Sequence, residues 1–254
     1  MPRKIFCVGV GPGDVELITV KAIKILKEAQ IIFSPTSQPD RPSLALSVIK
    51  PILEERQIQP ETKSLIFPMI KKRDVLEKTW IANADAIAHA TKNLTPVAYV
   101  TMGDPALYST FAYLYRELRL RYPEIDVEVV PAVTAMTACA SKAKLSLADG
   151  GDSLAIVPAV YDLETYRKII EGADNLVIIK NGHHFKEVFK LLRECGFEDD
   201  SLIGFGNECT MPWGTMQTLT MKEASTLEMP EKYFSVLIAK RKGPSAVVSI
   251  VERQ

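Results

Sequence analysis

Three turns concentrate the residues best able to bring a backbone against a ligand. The first is Val8-Gly9-Val10-Gly11-Pro12-Gly13-Asp14, at the end of a β-branched run, Ile5–Val10. Glycines there let a ligand approach the main chain closely. The spacing G-x-G-P-G does not fit a dinucleotide fingerprint, which needs G-x-G-x-x-G and an acidic residue about 20 positions on; Phe33-Ser34-Pro35 occupies that region instead. The second turn is Thr101-Met102-Gly103-Asp104-Pro105-Ala106-Leu107-Tyr108-Ser109. Asp104-Pro105 suits helix initiation, as an N-cap followed by proline at the first helical position. Helix initiation leaves Gly103 unexplained. A missing side chain at a strand end makes room for a ligand where open α/β sheets bind them, and a carboxylate beside it suits the amino group or ribose hydroxyls of a nucleoside. The third turn, Pro131-Ala132-Val133-Thr134-Ala135-Met136-Thr137-Ala138-Cys139-Ala140, opens a helix of small side chains. It fits either close helix packing or space for a flat adenine.

Weaker candidates lie further along: Lys180-Asn181-Gly182, Asn207-Glu208-Cys209-Thr210 and Tyr233-Phe234-Ser235, each at a strand end where an ordinary loop is the simpler reading. Lys71-Lys72-Arg73 is the best local patch for carboxylates, although cations before a helix oppose its macrodipole and a solvated surface is the simpler explanation. His183 and His184 have no third ligand nearby in sequence, and no Cys or His spacing matches a metal site. The expectation is therefore no metal. The four cysteines, Cys7, Cys139, Cys195 and Cys209, are widely separated and read as reduced packing residues.

The elements that position these residues follow from periodicity. β-branched runs at Ile5–Val10, Ile31–Ser34, Ser64–Phe67, Val97–Thr101 and Val127–Val130 alternate with helical stretches at Thr19–Ala29, Ser43–Arg56, Asp74–Lys92 and Tyr108–Arg121. That alternation predicts β-α units on a parallel five-stranded sheet. Pro51 should kink or shorten its helix. The polar break Ala148-Asp149-Gly150-Gly151-Asp152 suggests a boundary between a domain 1–149 and a domain 150–254. Beyond it, Leu154–Val157, Leu176–Lys180, Leu202–Phe205, Met216–Thr220 and Phe234–Ala239 read as strands, with helices only in the first half. The short spacing of the last strands favours a mixed sheet.

Composition narrows the partners. Lys plus Arg and Asp plus Glu number 31 each, so no bulk field recruits nucleic acid or an anionic membrane. No stretch approaches 18 apolar residues and the N-terminus has no cleavable signal, which predicts a cytoplasmic protein.

Taken in order, Gly9-Val10-Gly11-Pro12-Gly13-Asp14, Gly103-Asp104-Pro105-Ala106-Leu107-Tyr108-Ser109, Pro131-Ala132-Val133-Thr134-Ala135, the strand into Lys180, and Cys209-Thr210-Met211-Pro212 resemble the tetrapyrrole methylases, across nearly the whole chain. Thr101 to Phe111 and Ser43-Leu44-Ala45 look most like the precorrin-2 or cobalt-factor II C20-methyltransferases of cobalamin biosynthesis. Ala132 stands where many relatives carry glycine. The resemblance implies two α/β domains with an active-site cleft between them, a homodimer, a small-molecule tetrapyrrole substrate, and S-adenosylmethionine as methyl donor with S-adenosylhomocysteine as product. It places cofactor contacts at Pro12, Gly103, Asp104, Leu107, Tyr108, Thr134 and Ala135, with Asn181 and Cys209 from the second domain. Substrate would meet Gly11, Gly13 and Asp14, and its carboxylates Lys71, Lys72 and Arg73. The implied reaction is a direct displacement in which orientation and exclusion of water dominate and no protein nucleophile is needed. A methylase for another ring position, and a non-catalytic tetrapyrrole or adenosine-nucleotide binding protein, remain the alternatives.

Overall fold

Runs of apolar residues with no polar alternation mark strands covered on both faces. Lys4–Gly9 (β1), Ile31–Thr36 (β2) and Val97–Thr101 (β4) have this character, and most of their residues are buried. The computed structural model describes residues 3–55, 57, 59–159, 163–180, 185–227 and 234–243. The chain forms two units, Met1–Thr134 and Ala135–Gln254.

The first unit is a five-stranded sheet in the order β3-β2-β4-β1-β5, with β3 at Glu61–Ile66 and β5 at Asp126–Val130. Every pairing is parallel. Four helices connect the strands: α1 (Val20–Glu28), α2 (Leu44–Glu55), α3 (Arg73–Ala90) and α4 (Phe111–Arg121). The Thr19 side chain accepts from the Ala22 N–H and so starts α1. On one face, Ile5, Cys7, Phe33, Val97 and Tyr99 pack with Trp80 and Ile87 of α3 and Leu114 and Leu118 of α4. α1 lies against β1, and α2 against β2 and β4. Pro51 does not shorten α2. The helix runs on to Glu55, because burial of Ala45, Val48, Ile49, Ile52 and Leu53 outweighs the one hydrogen bond that proline cannot donate.

The second unit begins with a helix, α5 (Ala135–Ala143), followed by β6 (Leu154–Pro158), α6 (Arg167–Gly172), β7 (Asn175–Ile179), α7 (Phe185–Glu194), β8 (Leu202–Asn207), β9 (Thr215–Thr220), α8 (Met221–Ala224) and β10 (Ser235–Lys240). Its sheet runs β6-β7-β10-β8-β9. β6 and β7 pair in parallel; β7 with β10, β10 with β8 and β8 with β9 pair antiparallel. The mixed sheet matches the expectation from spacing. α8 does not: a one-turn helix too short to show a helical period, it sits between the last two strands of the chain, where none was expected.

The division between the units falls before α5, not at residues 149/150. α5 packs on β8, β9 and β10, and the polar break after it is anchored in the second unit rather than acting as a linker. Buried Lys240 donates to the Ser146 carbonyl at 2.7 Å and to Asp149 Oδ2 at 2.9 Å. Lys242 and Asn175 donate to Asp152.

Two of the four cysteines depart from expectation. Cys139 and Cys209, 70 residues apart, form a disulfide with a Cα–Cα separation of 5.9 Å; Cys7 and Cys195 are free and buried.

Candidate functional site

In a parallel sheet, ligands meet the loops leaving the carboxyl ends of the strands, above all where successive connections run in opposite directions. β1 and β4 are neighbours in the first unit; from β1 the chain crosses towards β2, and from β4 it crosses the other way, to β5. Right-handed crossovers then put the two connections on opposite faces, which leaves a crevice between these strand ends. The first two glycine turns both open there.

They are joined. The Val10 N–H donates to the Thr101 carbonyl at 3.0 Å, and the Gly103 N–H to the Gly11 carbonyl at 2.7 Å, which extends the β1–β4 pairing past the strands as an isolated antiparallel bridge. Gly9 is the point of closest approach. A Cβ there would lie 2.6 Å from Ala132 Cβ, 2.7 Å from the Gly103 carbonyl oxygen and 2.8 Å from Pro105 Cδ. The methyl of Ala132 thus fills the space that Gly9 leaves. Gly103 has φ +65° and no other atom within 4 Å of where its Cβ would be, so it combines a left-handed backbone with an open face.

Asp104 clamps this arrangement. Oδ1 accepts from the Ala106 N–H at 2.8 Å, and Oδ2 accepts from the Ala132 N–H at 2.8 Å, which ties the loop after β4 to the loop after β5. Asp104 does not begin α4, which starts at Phe111 after Thr110. The helix-initiation reading fails because residues 104–110 form a turn of their own. Its fastenings are Thr101 Oγ1 with Ser109 Oγ at 3.0 Å, Ser109 Oγ accepting from the Phe111 N–H at 3.2 Å, and the Tyr99 hydroxyl with Thr110 Oγ1 at 2.9 Å. Ser109 and Thr110 were visible in the motif, but only the fold shows what their hydroxyls hold. Asparagine at 104 would supply one acceptor oxygen where the turn uses two.

Tyr108, in the same turn, has φ +50° and is 45% exposed. A bulky residue held left-handed is strained by about 1–2 kcal/mol, and strain of this kind gathers where a side chain must be aimed. The Leu107 N–H donates to the Asp104 carbonyl at 3.2 Å. Gly11 and Pro12 are buried, and Asp14 Oδ1 accepts from the Glu16 N–H at 2.9 Å, capping a short turn. Beneath the crevice, burial and then the charge of Asp104 push the Cys7 thiol well above its usual range, and burial raises the Tyr99 phenol. Both stay protonated at neutral pH, so neither supplies a nucleophile.

Lys71, Lys72 and Arg73 lie exposed after β3, on the same edge. Arg73 pairs with Glu77 at 2.9 Å. The patch follows the edge strand β3, not the two strands whose ends form the crevice.

The sequence profile of the tetrapyrrole (corrin/porphyrin) methylases matches residues 4–225. The chain belongs to that family. This tetrapyrrole methylase is 33% identical over 239 residues to a protein of Methanocaldococcus jannaschii named probable cobalt-precorrin-2 C(20)-methyltransferase, covering 94% of this chain and 96% of the relative. It is 30% identical over 241 residues to the cobalt-precorrin-2 C(20)-methyltransferase of Salmonella typhimurium, covering 95% and 98%. Its fold is that of the uroporphyrin-III C-methyltransferase of Thermus thermophilus solved with S-adenosylhomocysteine, with a TM-score of 0.65 at 21% identity, covering 96% of this chain and 99% of that one.

Of the remaining expected contacts, Thr134 ends the first unit of the methylase and Ala135 opens α5 in the second. Cys209 is buried and bonded to Cys139, so it presents no thiol. Asn181, His183 and His184 lie outside the described residues. Among the described residues no group of His, Cys, Asp or Glu is arranged to hold a metal, and no helix is long and apolar enough to cross a membrane.

Proposed function

We propose that this chain transfers a methyl group from S-adenosylmethionine to C20 of precorrin-2 or cobalt-precorrin-2 in cobalamin biosynthesis. The observation that carries the reading is the likeness to two relatives, both named C(20)-methyltransferases, over more than nine-tenths of each chain. The crevice fits an adenosine-bearing donor. It offers a left-handed glycine with an open face, an exposed tyrosine in a fixed turn, and backbone rather than long side chains at the point of approach.

When bound, S-adenosylmethionine would supply an electrophilic sulfonium methyl for attack by an electron-rich ring carbon, with S-adenosylhomocysteine as the leaving group. The residues of this chain orient and shield. Gly103, Leu107 and Tyr108 would line the donor. Asp104 keeps the loops after β4 and β5 at a fixed separation; freezing reactant geometry in this way contributes about 7–11 kcal/mol in favourable systems. Lys71, Lys72 and Arg73, exposed after the edge strand β3, would meet the carboxylates at the rim of a macrocycle.

The test uses two matched glycines. Gly103 and Gly150 both have positive φ and open space where a Cβ would be. Gly103→Ala and Gly150→Ala therefore carry similar backbone strain, but only Gly103→Ala intrudes on the donor. Calorimetry with S-adenosylhomocysteine should show about a tenfold weaker dissociation constant, about 1.4 kcal/mol, for Gly103→Ala alone. Equal effects in both variants would sink the assignment of the crevice. Mass spectrometry and NMR of the product from each substrate, with labelled donor, then fix the methylated position.

A further inference from the structure

We propose that Cys139 and Cys209 are a reversible dithiol–disulfide site that sets the order of the 208–214 loop and the seating of α5. The two other cysteines cannot take this role. Burial raises the thiol pKa of both Cys7 and Cys195, which keeps them protonated and unreactive, and both are unpaired.

The pair ties a helix to a loop. Cys139 is on α5, and Cys209 follows β8 by two residues. Among the described residues, the buried cluster joining α5 to its sheet face comprises Cys139, Ala140, Val177, Cys209, Val236 and Ile238. Two of its six members are the disulfide itself, and partly buried hydrophobics, Met136, Leu145 and Met216 among them, pack against it. A side-chain bond, Thr218 Oγ1 to the Ala143 carbonyl at 3.1 Å, ties the far end of α5. The loop after Cys209 is closed by the Met211 N–H to the Glu208 carbonyl at 2.8 Å and the Gly214 N–H to the Met211 carbonyl at 2.9 Å. Trp213 stands 62% exposed, its indole N–H on Glu208 Oε2 at 3.1 Å. Met211 is buried as well and keeps one apolar anchor in the loop, and loss of the covalent tie lowers the cost of opening the rest.

The reactant is a dithiol reductant. Its thiolate attacks the Cys209 sulfur, the less buried of the two at 5% against 1% residue exposure. Cys139 leaves as a thiolate and takes a proton. The second thiol of the reductant then attacks its own sulfur in the mixed disulfide, frees Cys209 as a thiol and departs as the oxidised disulfide, so that two electrons and two protons pass to the protein. Because both sulfurs are covered, attack waits on loop opening, and reduction is slow in the native protein and fast in denaturant. Thr134, which the family resemblance places at the donor, immediately precedes α5, so under the function proposed above reduction also weakens donor binding.

Thiol titration in denaturant of protein purified without reductant should find two free thiols, rising to four after dithiothreitol. Native hydrogen exchange over 135–143 and 208–214 should then rise about tenfold or more and fall again on reoxidation. Trp80→Phe leaves Trp213 as the single tryptophan, whose emission should follow the same cycle, and Cys139→Ser with Cys209→Ser should abolish every redox response. Four thiols after treatment with oxidised glutathione, or exchange unchanged by reduction, overturns the proposal. Calorimetry on the two redox forms separates it from the methyltransferase reading. S-adenosylhomocysteine should bind the oxidised form and lose about fivefold or more on reduction. Absence of binding to either form counts against the methyltransferase reading alone, while equal binding to both removes the link from α5 to the donor.

Discussion

The two faces of the second sheet are held by different means. Beneath α6, α7 and α8, nineteen buried residues, among them Leu176, Ile178, Phe189, Leu192, Phe205 and Leu237, form one continuous cluster among the described residues. Beneath α5, the corresponding buried cluster has six, two of them joined as a disulfide, and the rest of that face is covered by partly buried side chains. Where apolar area is plentiful, burial alone fixes a helix, at roughly 25 cal/mol per Å². Where it is scarce, a cross-link and a few polar bonds take over, and the helix becomes sensitive to conditions that leave the thick face untouched.

The sharpest way to break this comparison is a matched pair of truncations. Ile178 and Ile238 are both at most 1% exposed, on adjacent strands, but belong to the thick and thin clusters respectively. Ile178→Ala should cost about 4 kcal/mol in urea unfolding, and Ile238→Ala only about 2, because a thin layer collapses more readily into the cavity. Equal costs would mean that α5 is as firmly packed as α7.

A somewhat smaller effect tests the polar part of the thick face. Arg241 donates to the carbonyls of Ala173 and Cys195 at 2.8 and 2.7 Å, and to those of Ile170 and Glu171 at 2.7 and 3.0 Å, with its guanidinium 4.3 Å from the Phe197 ring centroid. One side chain thus satisfies carbonyls at the ends of both α6 and α7. Arg241→Met should cost about 3 kcal/mol by the same measurement, with Arg241→Lys recovering only part of it, since an ammonium lacks the planar fork. Hydrogen exchange should rise in α6 and α7 and stay unchanged in α5.

The smallest effect concerns acid. Ser146 and then Lys240 hold the Asp149 carboxyl below its ordinary range, and Lys242 and then Asn175 do the same for Asp152. Both groups anchor the turn that follows α5. A lowered folded pKa means stabilisation that is complete above the ordinary carboxylate value, near about 3.9, and is lost as pH falls through the lower folded value. Melting curves from neutral pH down to about pH 3 should therefore show a decline that Asp149→Asn reduces, because that variant has already lost the ion pair at neutral pH. An identical acid response in both proteins would assign the decline to other carboxylates.

Much of this architecture was legible in advance, for local reasons. Each strand was recognisable because β-branched runs such as Ile5–Val10 and Val97–Thr101 end in glycine or a polar turn. The first sheet was expected to be parallel because helical stretches separate its strands. α8 escaped because four residues carry no period. Pro51 misled because its local cost is smaller than the burial of the five side chains on the same helix. The Gly-Asp-Pro turn was found as a motif, yet its carboxylate was read as a helix cap or a ligand contact, since nothing local shows that Ala132 lies within reach.

What the sequence determined by itself was the succession of elements and the three turns that carry the chemistry, because periodicity and backbone freedom are properties of neighbouring residues. What only the tertiary structure decided was which distant groups meet. Ala132 Cβ occupies the space left by Gly9, 123 positions earlier in the sequence. Asp104 reaches the Ala132 N–H across 28 residues, and Lys240 reaches Asp149 across 91. Cys139 finds Cys209 across 70, which turned two expected packing residues into a cross-link between α5 and the loop after β8. Such pairings depend on how the strands order themselves in the sheets, and that order minimises exposed apolar area over the whole chain, a quantity no local window contains.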